Sequence, residues 1–164
     1  MKNLFYIATA MLMLGACSEK EDVYYSTTYS VTKVEIQTSI PEGTDASLVA
    51  LIEEAAADAE ATAPISYQLD FSRYNGGELY VTPAADAEVL VGEFDKVPAS
   101  KELTFRYGEY EYLAKLASYT PEESALRCVL FEIDLTAYYK ALYPTLADTN
   151  FKLVRKEYTS HLYE

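Results

Sequence analysis

Residues 46–62 place the strongest constraint on the fold, because their apolar side chains recur at three- and four-residue steps. Before them, Thr44 or Asp45 offers a side-chain oxygen to the free N–H groups of a helix start, and Pro64 ends the segment. The pattern predicts one long amphipathic helix, which needs an apolar surface to cover. Its apolar stripe consists of Leu48, Leu51, Ile52, Ala55, Ala56 and Ala59.

Most of the remaining chain is predicted to form β-strands. Residues 29–38 alternate, with Val34 and Ile36 on one face and polar side chains on the other, which is typical of a half-buried strand. Residues 109–117 predict either a strand or a short helix, and residues 136–143 predict a short helix or turn. Further strands are predicted at 65–73, around 79–81, and at 88–91, 102–107, 126–135 and 151–163.

The tripeptide Asn75-Gly76-Gly77 predicts a hairpin between two of these strands. A three-residue loop pairs Phe71 with Val81 and keeps the apolar side chains of both strands on one face. We therefore expect all three residues to lie in the loop, with a glycine at positive φ.

Together these elements predict an α+β fold, a largely antiparallel sheet with one long amphipathic helix packed on it. A β-sandwich with a helical excursion is the alternative. The order of strand, long helix and antiparallel strands is similar in outline to cystatin-like folds, although no motif identifies a family for this part. Its length fits a single globular domain over residues 29–164.

The amino terminus has the order of a secretory signal, with Lys2, an apolar run and small residues before a cysteine. Its apolar run is shorter than the roughly 20 residues of a membrane-spanning helix. The tetrapeptide Leu14-Gly15-Ala16-Cys17 resembles the lipobox of bacterial outer-membrane lipoproteins. That resemblance implies removal of residues 1–16 as a signal peptide and attachment of lipid to Cys17. The alternative is an ordinary secretory signal that leaves a free thiol.

The residues after the cysteine carry a second resemblance. Lys20, Glu21 and Asp22 look like the surface-export signal of lipoproteins in the Bacteroidota. It implies a protein that is anchored in the outer membrane by lipid and exposed on the cell surface. Residues 17–28 then form a lipidated acidic tether that reaches at most about 40 Å. A solvated acidic linker without an export role is the alternative.

The charge of the chain argues against partners that need a basic protein surface. It has 26 acidic against 13 basic residues, a net charge of −13. Nucleic acid is not expected as a partner, because phosphate binding needs a cationic surface. The membrane is therefore expected to be contacted through the lipid rather than through a basic patch. With lipid on Cys17, Cys128 has no thiol partner for an intramolecular disulfide.

Candidates for catalysis are few, and we expect no enzyme and no cofactor. Cys128 lies in an apolar segment and His161 near the carboxyl terminus, which favours structural roles over a nucleophile pair. One histidine and one free cysteine do not build a common zinc site. The sequence has no Gly-rich phosphate loop. The carboxylate pairs Glu109 with Glu111 and Glu132 with Asp134 are interpreted as solvated or structural, because such pairs arise often in an acidic chain.

Sixteen tyrosines and no tryptophan are the remaining functional signal. We interpret most of the tyrosines as sheet packing, and a sugar- or protein-contacting surface is the alternative. The expected function is therefore a non-catalytic binding or envelope-assembly role with a glycan or protein ligand. An acidic inhibitor or immunity-type module that blocks a partner enzyme is the other possibility. The tyrosines that could form such a surface are Tyr107, Tyr110, Tyr112, Tyr119, Tyr138, Tyr139 and Tyr143.

Overall fold

The computed structural model describes residues 25–72, 76–84, 88–97, 101–119 and 128–162. In this part of the chain eight antiparallel strands form a closed barrel, in which each strand pairs with the next and the last pairs with the first. The strands are β1 (Tyr25–Ser39), β2 (Ser66–Phe71), β3 (Gly76–Thr82), β4 (Leu90–Val97), β5 (Glu102–Tyr107), β6 (Tyr110–Tyr119), β7 (Cys128–Asp134) and β8 (Lys152–Leu162). The helices are α1 (Ala46–Ala61) and α2 (Thr136–Leu142), followed by a 3-10 turn at Pro144–Leu146.

The predicted fold class is wrong. The structure is neither an open sheet with a helix on one face, as in the cystatin-like outline, nor a β-sandwich. The reason is the length of β1. Its first half pairs with β2, from Tyr25 opposite Phe71 onward, and most of its length pairs with β8, as far as Ser39 opposite Lys152. Because the first strand pairs with the last strand as well as with β2, the sheet has no open edge.

The barrel interior is filled by side chains at alternate strand positions. Tyr67, Phe105 and Phe131 lie at its centre, with ring centroids 5.5–5.9 Å apart. A bulge between Val31 and Lys33 shifts the register of β1. The bulge lets both halves of β1 contribute to the interior, since it exchanges the faces on which odd and even residues lie. An eight-stranded barrel is just wide enough for such side chains to fill it.

A helix at the position predicted for residues 46–62 is confirmed as α1, but it lies against a closed barrel and not on an open sheet. Asp45 caps its start, because a carboxylate oxygen of Asp45 accepts a hydrogen bond from the backbone N–H of Ser47 at 2.8 Å. The helix packs mainly against β1 and β8 and buries Ile52, Ala55 and Ala59. It therefore covers the barrel at the strands that close it.

Both helical connections lie at the same end of the barrel. The segment with α1 follows β1, and the segment with α2 precedes β8. Because Ser39 at the end of β1 pairs with Lys152 at the start of β8, the two segments meet there. We call this the helix end. Tyr25, the first described residue, lies at the opposite end, where its ring stacks on Phe71 with centroids 4.3 Å apart.

The predicted hairpin register is also wrong. Phe71 pairs with Gly77, and Leu69 pairs with Leu79, so the apolar side chains still share one face. Gly76 and Gly77 lie within β3 rather than in the loop, and neither has positive φ. Gly77 is needed because a Cβ atom there would clash with the backbone carbonyl of Asp70.

Candidate functional site

A small pocket opens at the helix end of the barrel, between α2, the end of α1 and the strands β5 to β8. Its volume is about 110 Å³. Three of the four tyrosines around it are partly exposed, and the fourth, Tyr139, is buried. We call it the tyrosine pocket. Its lining consists of Thr62, Tyr107, Tyr112, Leu135, Tyr138, Tyr139 and Arg155.

The β5–β6 hairpin places the first two tyrosines. Gly108, with φ of +68°, begins the tight turn between the strands, a position that favours glycine. Tyr107 and Tyr112 lie on either side of this turn as diagonal neighbours on the inner face. Their rings stack with centroids 4.8 Å apart and an angle of 24° between the planes. The turn thus builds one aromatic wall of the pocket.

Helix α2 supplies the opposite wall. The Tyr138 ring lies 5.9 Å from that of Tyr112 and packs edge-on against Tyr139 at 4.9 Å. The Tyr139 hydroxyl donates a hydrogen bond of 2.8 Å to the carboxylate of Asp58 on α1. Burial, and then this hydrogen bond, raise the pKa of Tyr139, so its hydroxyl keeps its proton. The contact fixes both helices around the pocket.

Arg155 enters the pocket from β8 and is only 4 % exposed. Its Nη1 donates a hydrogen bond of 3.0 Å to the carbonyl oxygen of Ala59, near the end of α1. Its Nε lies 2.7 Å from Oε1 of Glu157, which is fully buried. A buried ion pair therefore lies between the pocket and the aromatic centre of the barrel.

The surroundings shift the proton affinity of this cluster. Burial is the largest single effect on Arg155 and opposes its charge, but Glu157, Tyr67 and Tyr107 together outweigh it and raise the pKa of the guanidinium. Burial raises the pKa of Glu157, and Arg155 limits that rise. Burial also raises the pKa of Tyr107 to about 12, and that of Tyr67 well above its ordinary value. Both phenols therefore stay protonated at neutral pH.

The structure brings together part of the predicted tyrosine set. Tyr107, Tyr112, Tyr138 and Tyr139 line one pocket, and the ring of Tyr143 stacks on Tyr139 at 6.4 Å. The side chains of Tyr110 and Tyr119 lie outside the described part of the structure.

Sequence reasoning missed Arg155, Asp58 and Thr62. The one available signal for Arg155 was its spacing, since it lies two residues after Leu153 and two before Glu157. That spacing places an opposite charge pair on the buried face of a strand.

The other predicted site residues are not among those that line this pocket. Cys17, Lys20, Glu21 and Asp22 fall outside the described residues. Cys128 pairs with Ser160 across β7 and β8, and His161 pairs with Tyr29, but the structure does not describe the side chains of the cysteine and the histidine.

One carboxylate of each predicted pair lies near a basic side chain on the barrel surface. Glu132 is 3.3 Å from Lys156, and Glu111 is 3.9 Å from Arg106. Among the described residues, no three His, Cys, Asp or Glu side chains come close enough to hold a metal ion. Neither described helix is both long and apolar enough to cross a bilayer.

A wider depression of about 590 Å³ lies on the outer surface along β1 and β8. Its charged groups are Glu132, Lys152 and Lys156. Lys152 is exposed, and long surface side chains lose conformational freedom when they hold a ligand. The tyrosine pocket is the stronger candidate because hydrogen bonds and ring stacking already fix its groups.

No family model matches the chain, and no curated protein or solved structure is significantly similar to it. The function is therefore inferred from the chemistry of the tyrosine pocket.

Proposed function

We propose that this chain is a surface-exposed, lipid-anchored outer-membrane protein with a non-catalytic binding role, and that it holds part of a glycan in the tyrosine pocket. The observation that carries this proposal is the convergence of four tyrosines and one buried arginine on a single concave site. Tyrosine rings offer a flat apolar face to a sugar ring, and their hydroxyls exchange hydrogen bonds with its hydroxyl groups. Such a site binds by stacking and hydrogen bonding.

The position of the pocket supports this role. The chain enters the barrel at Tyr25, which lies at the end opposite the helices and the pocket. A lipid on Cys17 would attach the molecule from that opposite side. The pocket would then face away from the membrane, toward ligands outside the cell. Charged side chains on the outer surface, such as Glu93, Asp95 and Arg106, support a barrel that is surrounded by water.

The state of the nearby acids supports binding rather than catalysis. Asp58 accepts a hydrogen bond from Tyr139, and Glu157 lies against Arg155. A general acid or base must exchange its proton with a substrate, which needs a group free to reach it. Both carboxylates are instead held by protein partners, so we assign them a structural role.

A glycan array printed with neutral and acidic oligosaccharides tests the proposal, with purified full-length protein as the probe. We expect binding to at least one glycan, and its loss in Tyr112→Ala. Tyr80→Ala is the matched control, because Tyr80 lies on the barrel exterior and donates a hydrogen bond to Glu78. An array on which the parent protein binds nothing, or on which both variants bind like the parent, would contradict the proposal.

The net charge of −13 keeps the acidic inhibitor or immunity-type module as the second candidate. Steering by many acidic groups would draw the protein to a basic partner enzyme and would weaken steeply with salt. A pull-down from envelope extracts at low and high salt separates the two functions. Capture of one basic protein at low salt only would favour the inhibitor.

A further inference from the structure

The polar groups beside the tyrosine pocket keep hydrogen-bonding capacity. Arg155 carries five N–H donors. The carbonyl of Ala59 and the carboxylate of Glu157 face two of them, and the hydroxyls of Tyr67 and Tyr107 also interact with the guanidinium. The contact between Arg155 and Glu157 is an ion pair without the geometry of a straight hydrogen bond. The Tyr67 hydroxyl, although close enough to shift the pKa of Glu157, also makes no hydrogen bond of ordinary geometry within the described residues. Buried polar groups of this kind favour a polar ligand group nearby.

The charges around the pocket select against anions. Arg155 is the one cation in the lining, and Glu157 balances it at 2.7 Å. Asp58 and Glu54 on α1 add negative charge beside α2, where they raise the pKa of Tyr143 after the larger effect of burial. An anionic ligand would be repelled by these acids and by a molecule of net charge −13. A neutral ligand avoids this repulsion.

The size of the pocket limits how much of a ligand enters it. A buried cavity of about 150 Å³ accepts a single benzene ring. At about 110 Å³, the tyrosine pocket has room for part of one ring, and the rest of the ligand must extend through the opening. This geometry suits the end of a chain better than an internal unit.

We propose that the tyrosine pocket binds the terminal sugar of an uncharged glycan, and that Arg155 is its specificity-determining residue, bonding a sugar hydroxyl while the ring stacks on Tyr112. The inference rests on the proposed function and narrows its ligand. The Tyr107 hydroxyl, which interacts with Arg155, adds a second polar contact at the same point. Glu157 acts as a positioning residue because it orients and neutralises the guanidinium.

Isothermal titration of the purified full-length protein tests this inference. The probes are the methyl glycosides of glucose, galactose and mannose, each compared with the corresponding uronic acid glycoside. We expect at least one neutral glycoside to bind, and its acidic counterpart to bind about ten-fold more weakly or worse, a loss of about 1.4 kcal/mol.

Two variants test the assigned residues. The double variant Arg155→Met with Glu157→Leu removes both charges together, and we expect about ten-fold weaker binding or worse. Tyr107→Phe keeps the ring and loses one hydroxyl, so about 2–10-fold weaker binding is expected. The circular dichroism spectrum of each variant shows whether the barrel is intact. Lys156→Met on the outer face is the control that should bind like the parent.

The outcomes separate this inference from the proposed function. Equal or tighter binding of the uronic acid glycoside would contradict the inference that the ligand is neutral. Unchanged affinity in a folded double variant would contradict the role of Arg155. Binding on the glycan array that depends on Tyr112, without binding of any methyl glycoside, would overturn the terminal sugar alone. An array with no binding at all would overturn the proposed function and this inference together.

Discussion

Among single side chains, the buried pair of Arg155 and Glu157 has the largest expected effect on stability. Removing one partner leaves an uncompensated charge inside the barrel, whereas replacing both with apolar groups of similar volume is often neutral. We therefore expect Glu157→Leu to lower the free energy of unfolding by about 3–5 kcal/mol. Adding Arg155→Met should recover most of that loss. Urea denaturation followed by circular dichroism measures both changes.

The matched control is Lys156→Met on the same strand. Its partner Glu132 lies on the outer face, where an ion pair contributes about 0–1 kcal/mol. A double variant that is no more stable than Glu157→Leu alone would show that the charges are not coupled.

Tyr107 gives a prediction about alkaline pH. Its pKa is raised to about 12 in the folded protein, chiefly by burial, against about 10 for an unfolded tyrosine. Stability linked to a raised pKa is complete below the unfolded value and is lost as pH rises through the folded value. The urea midpoint should therefore fall between about pH 10 and 12. Tyr107→Phe should make that fall shallower, and an unchanged slope would contradict the assignment.

For the secondary structure elements, the central prediction concerns how α1 packs. Ile52 is fully buried between α1 and the barrel, whereas the next residue, Glu53, is exposed. Ile52→Asp buries an unpaired carboxylate at a cost of several kcal/mol, comparable to the total stability of about 5–15 kcal/mol. We expect this variant to be largely unfolded. The free energy of unfolding of Glu53→Ala should lie within about 0.5 kcal/mol of that of the parent. Thermal denaturation of the two variants decides, and equal melting temperatures would contradict the packing of α1.

For the complete molecule, the predictions concern attachment to the membrane. Lipid transfer to a lipobox needs the thiol, so Cys17→Ser should abolish acylation and leave unprocessed precursor. Labelling of growing cells with radioactive palmitate measures this change, and label on the variant would contradict the lipid site.

The export signal is tested separately. Replacing Lys20, Glu21 and Asp22 with alanine should leave acylation intact while reducing cleavage by an external protease on whole cells. Unchanged cleavage would show that these residues do not direct export. A replacement of Ser18 and Glu19 with alanine is the matched control beside the same cysteine.

Several elements of this fold could be predicted from local sequence because their signals are local. The three- and four-residue spacing of apolar side chains in residues 46–62 predicts α1, together with the capping side chain of Asp45. The predicted end lies one residue beyond the observed end at Ala61. The strand predicted at residues 102–107 matches the bounds of β5, and the short helix or turn predicted at residues 136–143 is the helix α2. Other bounds were wrong, since β4 occupies Leu90–Val97 rather than residues 88–91.

The tyrosine pocket was only half predictable. The clustering of tyrosines was visible in the sequence, but not which of them would face one another. The sequence hardly indicated that Arg155 is buried. Val154 and Tyr158, on one face of the strand, are as compatible with burial as Leu153 and Glu157, on the face that carries Arg155. Which face of β8 turns inward depends on its pairing with Ile133 of β7 and Ile36 of β1.

The sequence by itself therefore determined the types of most elements, the long helix and the apolar face of each clear strand. Only the tertiary structure decided that the sheet closes. Alternating apolar and polar side chains indicate that a strand has one buried face. A helix across an open sheet covers that face as well as a closed barrel does. Closure depends on the pairing of β1 with β8, between residues more than 100 positions apart, and on the bulge after Val31. The same closure brings the helices, the β5–β6 hairpin and Arg155 together at one end, and so creates the pocket.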